Sequence, residues 1–303
     1  MIVVIKGQQK QAPCSNLRSG FRSSRFEGGA VNRIIRSVAV VALLISTPAM
    51  AAPPAPVASW TGFYVGGEFG AGWSSQAVNF SPNDPAAAVL FNTAFVTQPP
   101  ASDRVSQSGP VGGIEAGYNW QAGPNLLVGF ETDFNLSGMT GQASTVSIAI
   151  APNTQTTTAE QRTDWYGSIR GRAGFLATPN LLLFGTGGFA YGRVADAASY
   201  SVSGIFHVTS PNLAFSVLCQ PNITCFSGAS SATRTGWTAG AGAEWLLDGH
   251  WSAKLEYQFV DLGSEITRVT AFATNAAGAA PASLSAAFRD EFHVVRAGLN
   301  YRY

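Results

Sequence analysis

The sequence predicts an all-β fold, a membrane-spanning barrel of eight antiparallel strands. Three observations carry this reading. Charged residues make up 12% of the 303-residue chain, against roughly 25% in an ordinary soluble protein, while hydrophobic residues reach 46% and glycines number 33. From Trp60 onward the apolar period is two, the period of a strand. Outside one short N-terminal stretch, no uninterrupted apolar run approaches the roughly 18 residues a membrane helix needs, so the apolar surface must be carried by strands.

The N-terminus reads as an export address. Arg33 and Arg36 precede the apolar run Val38–Ile45, followed by Ser46-Thr47-Pro48 and the small-residue site Ala49-Met50-Ala51. A basic flank, a short hydrophobic core and an A-x-A site form a secretory signal. Cleavage is expected after Ala51, so residues 1–51 are the signal, 52–59 a Pro/Ala-rich lead-in and 60–303 the barrel. The basic flank is long for a signal, and a true start downstream of Met1 would account for it. Seven of the 18 Lys/Arg and one of the 17 Asp/Glu lie within residues 1–51, leaving an acidic remainder with no basic stripe for a phosphate backbone. Nucleic acid is therefore not an expected partner. In an exported chain Cys219 and Cys225, the two cysteines left after Cys14 is removed, read as a disulfide.

The first strand shows the pattern. Phe63, Val65, Phe69, Ala71 and Trp73 fall on one face, and Tyr64, Gly66, Glu68, Gly70 and Gly72 on the other. The same alternation recurs at 111–120, 126–136, 164–176, 181–194, 234–246, 250–261 and 292–303, each near the 9 to 11 residues a tilted strand needs to cross a bilayer. The phase of 181–194 is the hardest to assign, because Leu181-Leu-Leu-Phe184 is apolar on both faces. Residues 121–125, 177–180 and 247–250 are tight turns rich in Gly, Pro, Asn and Asp. Long, low-charge connections are expected at approximately 74–110, 137–163, 195–233 and 262–291, so the short turns share one end.

A soluble sandwich would clothe its outer face in charge. Here the polar face is sparse and small, with Gly66, Gly70, Gly113, Gly117, Gly129 and Gly240 among its members. Such a face suits the inside of a narrow tube. Trp60, Trp120, Trp245 and Trp251 are placed at the short-turn end and Trp73, Trp165 and Trp237 at the other, two belts at the two headgroup layers.

The period-two phase points Glu68, Glu115, Glu131, Asp133, Arg170, Arg172, Glu244, Lys254, Glu256, Arg296 and Arg302 inward. An eight-stranded lumen is just wide enough for side chains, so these charges should pair across it. Glu68 and Glu256 are expected to approach Arg296 when the first and last strands close, and Glu131 to approach Arg170. Pairing would plug the tube; the rival is a narrow ion path lined by the same groups.

Two stretches carry a family resemblance. Trp60-Thr-Gly-Phe-Tyr-Val-Gly-Gly67 resembles the opening strand of the small outer-membrane β-barrel proteins of alphaproteobacteria, the porin-family or OmpA-like barrel domain. Arg296-Ala-Gly298-Leu-Asn-Tyr301-Arg-Tyr303 resembles their barrel-assembly signal, with Tyr303 in the terminal aromatic place where Phe is commoner. The resemblance covers roughly 60–303. It implies residence in the bacterial outer membrane, insertion by the barrel-assembly machinery, contact with outer-membrane lipids including lipopolysaccharide, short turns in the periplasm and long loops outside. The chain departs from full-length OmpA in ending at its last strand, so no peptidoglycan-binding domain is expected after it.

No enzyme, cofactor or metal is expected. Of three histidines, His207 lies in a long connection, His250 in a short turn and His293 at the start of the last strand, without a matching nucleophile and orienting group. No His/Cys/acid cluster has ligand spacing, and Gly185-Thr-Gly-Gly188 lacks the Lys-Ser/Thr of a phosphate loop and sits in a strand. The main expectation is a structural surface barrel supporting the envelope. A small-solute porin is the alternative, and a binding protein acting through its outer connections, where Phe91, Phe95, Phe206, Phe215, Phe226, Phe272 and Phe288 offer aromatic surface, is the third.

Overall fold

The computed structural model describes residues 59–85, 87–88, 101–150, 153–204, 206–210, 215–219, 223–271 and 282–303. The signal segment with Ala49 and Ala51, and the lead-in up to residue 58, lie outside the described residues. Among the described residues ten strands are formed: β1(Gly62–Pro82), β2(Ser102–Gln121), β3(Leu126–Ile150), β4(Asn153–Thr178), β5(Leu181–Val202), β6(Phe206–Ser210), β7(Phe215–Cys219), β8(Ile223–Leu246), β9(Trp251–Ala271) and β10(Ser283–Arg302). Eight close an antiparallel barrel in the order β1-β10-β9-β8-β5-β4-β3-β2, and β6 and β7 pair as a separate hairpin. The seam closes between the chain's first and last strands, from Tyr64 opposite Arg302 to Trp73 opposite His293. The backbone N–H of Tyr303 extends that ladder by donating to the Phe63 carbonyl at 3.0 Å.

Each barrel strand alternates as a tube in lipid demands. Phe63, Phe69, Ile114, Phe130, Ile169 and Leu255 stand exposed on the outside, where burial in acyl chain replaces burial in a protein core. The ambiguous phase at β5 resolves with even residues inward: Leu182, Phe184 and Ala190 are buried, Leu183 and Phe189 exposed. Inward glycines admit the large side chains opposite. A Cβ at Gly117 would overlap the Tyr64 hydroxyl, and one at Gly70 would overlap the backbone at Val295 and Arg296.

The eight-strand barrel is as expected, but the long connections are far shorter than the approximate ranges 74–110, 137–163, 195–233 and 262–291. The barrel strands run 20 to 26 residues, about twice the length needed to cross a bilayer. Only residues 151–152 separate β3 from β4. Alternation continues past the aromatic belt, but its sense reverses. Ser75, Ala77, Asn79, Thr156, Thr158 and Glu160 now face out, while Val78, Phe80, Val105 and Ala159 face in. A strand wall in water needs that polarity, and a search for an apolar outer face ends each strand at the belt.

Two irregularities allow the change of course. β4 carries a bulge between Thr163 and Trp165, after which the inward phase passes from odd to even residues. In β9 the register against β10 shifts at Arg289/Glu291, where Gly263 takes φ 88 and donates its N–H to Asp261 Oδ1 at 2.8 Å. That left-handed backbone is the one a glycine tolerates without strain.

The even residues of β10 read the interior as layers. From the short-turn end come Arg302 and Asn300, then Arg296, then Val294 and Phe292, then Asp290, then Phe288, Ala286 and Leu284, all buried. Along β10, apolar layers therefore lie between and above two polar ones. Native-state hydrogen exchange checks the extension: the amides of 140–146 and 155–163 are expected to be protected as strand amides. Free-loop exchange rates there would contradict a wall that continues above the membrane.

Candidate functional site

The inward charges meet in one buried cluster at mid-barrel. β3 brings Glu131 and Asp133, β4 Arg170 and Arg172, β9 Lys254 and Glu256, β10 Arg296, β1 Glu68, β2 Glu115 and β8 Glu244; every one is buried. Arg170 bonds to Glu131 and Glu256 and reaches Asp133 at 2.8 Å. Arg296 bonds to Glu68, Glu256 at 2.9 Å and Asp133 at 3.2 Å. Lys254 bonds to Glu115 and lies 3.3 Å from both Glu131 and Glu256. Arg172 bonds to Glu244 and lies over the Phe184 ring at 4.0 Å. The anticipated neighbours Glu68, Glu256 and Arg296, and likewise Glu131 and Arg170, are thus in contact.

Strand phase alone did not name the hydroxyls and amide that complete the cluster. Ser168 donates to Asp133 at 2.6 Å, Tyr64 to Glu131 at 2.7 Å, Arg170 to Thr186 at 3.1 Å and Asn300 to Glu244 at 3.3 Å. All share the inward phase, which was the available signal. Carboxylate oxygens of Glu68, Glu115 and Glu256 lie within 4.8 Å of one another, a grouping able to hold a cation. The Lys254 ammonium already lies against all three.

The short-turn mouth is closed by Trp60, which corrects its place in the lower belt. It is fully buried, its indole N–H donates to the Pro179 carbonyl at 3.0 Å, and the Arg302 guanidinium lies over its ring at 4.7 Å. Its even position shares the inward phase of Tyr64 and Glu68 in β1, so the alternation carried back past the start of β1 directs it into the lumen. Leu127, Leu176, Leu182 and Leu246 pack with it. Trp120, Trp245 and Trp251 stay on the outer face at that end, and Trp73, Trp165 and Trp237 at the other. Of the terminal motif, Arg296 serves the lumen, Gly298 faces inward, and Tyr301 packs outside against Trp251 and Tyr303 at 5.1 and 5.3 Å.

A second buried polar layer lies beyond the belt. Arg234 bonds to Asp290 and, at 2.8 Å, to Asp196, and Gln161 donates to Asp290 at 2.7 Å. Gln161, Asp196 and Asp290 fall in the expected connections and Arg234 opens the expected strand 234–246, so the strand pattern alone gives this layer no inward partners. Above them Phe226 and Phe288 pack inward rather than offering outer surface. Cys225 is disulfide-bonded; Cys219 ends β7, and its side chain lies outside the described residues, as do those of Phe206, His207 and Phe215. Phe91, Phe95 and Phe272 lie outside them altogether. His250 stacks on Tyr301, and His293 meets Tyr257 on the outer face.

Residues 37–303 match the outer membrane protein beta-barrel domain family. The chain belongs to that family. Its relatives include the 31 kDa outer-membrane immunogenic proteins of Brucella melitensis and Brucella suis, each 32% identical over 88% of this chain and 98% of theirs. The 22 kDa outer membrane protein of Rhizobium leguminosarum is 28% identical over 72% of this chain and 71% of its own. Among solved structures, the outer membrane protein OprG of Pseudomonas aeruginosa covers 80% of this chain and 97% of its own at 9% identity and TM-score 0.41. The family places this barrel in the bacterial outer membrane.

Two measurements probe the layers of this family member. Arg296→Met leaves Glu68 and Glu256 short of a partner inside a closed tube. A loss of about 3–5 kcal/mol is expected in urea unfolding followed by heat-modifiable gel migration; a loss below ~1 kcal/mol would mean that the network re-pairs. In the outer layer, burial pushes Asp290 up to about 7, with the Asp196 charge adding to the shift, and burial pushes Asp196 up to about 6. An acid with a raised native pKa binds its proton more tightly folded than unfolded. Its stabilisation is complete below the ordinary aspartate range and is lost as pH rises through about 6 to 7. Amides of 192–202, corrected for intrinsic exchange, should therefore be better protected at pH 5 than at pH 8, with Asp290→Asn reducing the difference.

Proposed function

We propose that this protein is a structural surface barrel of the outer membrane, supporting envelope integrity and not conducting ions. The observation behind this reading is the filled interior. Trp60 and its leucines close the short-turn mouth, Arg170, Arg296 and Lys254 are locked onto carboxylates at mid-height, and an apolar layer around Tyr166 and Phe292 covers them. Moving a hydrated ion through would break several buried ion pairs in succession, and unpairing one buried charge costs about 3–5 kcal/mol. Eight-stranded tubes are also the narrow ones, aqueous channels being usual at about 16 strands.

The long strands carry the barrel wall well beyond the outer aromatic belt, which supports exposure of that end at the cell surface. The Brucella relatives are named as immunogenic outer-membrane proteins, in keeping with such exposure. The aromatic C-terminus fits insertion by the barrel-assembly machinery.

Single-channel recording of the refolded barrel in a planar bilayer tests the reading. Wild type is expected to be silent. Arg170→Ala with Arg296→Ala removes two of the mid-lumen cations and should raise conductance. Reproducible steps from wild type would favour the small-solute porin, and no current from the double variant would show that the charge layer is not the barrier.

A further inference from the structure

The bulge in β4 builds a second arrangement of charges on the outside of the wall. Because Thr163 and Tyr166 both face inward, Asp164 and Trp165 share the space of one residue, and Arg162, Asp164 and Trp165 all reach the outer side. Arg193 of β5 pairs with Trp165 and joins them. Arg162 Nε lies 2.8 Å from Asp164 Oδ1, and Arg193 Nε lies 3.6 Å from Asp164 Oδ2. Both guanidiniums therefore approach the one carboxylate by the inner nitrogen. The side chains are 59% and 51% exposed, so both guanidiniums remain open to a further partner. The group carries one net positive charge.

Its height is informative. Immediately below it, Trp165 packs against Phe134 and Tyr191, with Phe189 beside Tyr191, an aromatic wall at the outer belt. Immediately above it, a groove crosses the outer face, lined by Thr140, Gln142, Glu160, Ala195 and Ala197. An apolar surface, then two exposed guanidiniums, then hydroxyl and amide groups follow one another along the strands. The outer leaflet presents acyl chain, phosphate and sugar in the same order when its lipid is a phosphorylated glycolipid.

We propose that this face is a binding site for a phosphate-bearing glycolipid of the outer leaflet. Its acyl chains lie on Phe134, Trp165 and Phe189, its phosphate bridges the terminal N–H groups of Arg162 and Arg193, and its sugar ring reaches Thr140 and Gln142. Asp164 holds the two forks in place, the role a carboxylate plays in fixing a guanidinium for bidentate recognition. Glu160, two residues further out on the same face, repels an anion there and keeps the phosphate at the level of the bulge. A phospholipid headgroup would fill the arginine level and leave the groove above it empty. The site depends on placement in the outer membrane and is independent of whether the lumen conducts.

The test measures binding of bis-phosphorylated lipid A, its dephosphorylated form and phosphatidylglycerol to the refolded barrel in phosphatidylcholine nanodiscs. Wild type should bind phosphorylated lipid A about tenfold tighter than either comparison lipid, the scale of charge-assisted hydrogen bonds to one anion. Arg162→Gln with Arg193→Gln should abolish the preference, while Arg289→Gln, an exposed arginine on β10, should retain it. Heat-modifiable migration confirms that each variant is folded. Because all three side chains are exposed, a variant that fails to fold is replaced by its Lys counterpart, which should restore folding and show a reduced preference. Equal binding of the two lipid A forms, equal binding of phosphatidylglycerol, or an unchanged preference in the double variant would each overturn the proposal.

Discussion

Closing eight strands into a tube forces the charges of seven different strands into one buried space, and that constraint organises the rest. An isolated buried ion is too costly to persist, so Arg170, Lys254 and Arg296 each reach two or more carboxylates. Arg170 with Glu131 and Arg296 with Glu256 follow the ladder between adjacent strands; others cross the lumen, as in Lys254 of β9 bonding Glu115 of β2. They tie together walls that backbone hydrogen bonds leave unconnected. The inward glycines belong to the same requirement, since Tyr64 reaches Glu131 only because Gly117 leaves room for its ring.

The layers above and below follow from what a charged midsection needs. Trp60 with its leucines below, and Tyr166 with Phe292 above, keep water away from the ion pairs and so keep them strong. Once the strands leave the lipid the same geometry works in the opposite sense. The outside must be polar, and the inside becomes a small apolar core around Phe226 and Phe288. The barrel is thus a membrane protein for part of its height and a water-soluble β-barrel for the rest. Arg234 with Asp196 and Asp290 marks the polar layer between those two apolar cores.

Much of the lower barrel was legible in the sequence because lipid imposes a simple rule. Apolar residues at every second position, small or charged ones between and Trp at the ends determine strand, phase and height together, as at Phe63 to Trp73. The upper barrel was not legible by that rule. In Asn153-Thr-Gln-Thr-Thr-Thr-Ala-Glu160 both faces look polar, and only a neighbouring wall shows which Thr is buried. Trp60 was misplaced for a related reason. An indole suits a headgroup layer and a barrel mouth equally well; the even phase it shares with Tyr64 and Glu68 points to the lumen, and the Pro179 carbonyl and Arg302, far away in sequence, hold it there.

The sequence by itself determined that this chain spans a membrane with eight strands and, in the lipid-crossing segments other than 181–194, which side chains face the lumen and which meet lipid, because a period of two in a medium without water leaves no other solution. Tertiary structure decided which charge meets which, how far the wall continues beyond the lipid, and that one bulge gathers Arg162, Asp164 and Arg193 on its outer face. Those outcomes depend on stagger between strands and on a single extra residue in β4. Neither leaves a local mark in the pattern, since both arise only when the sheet closes.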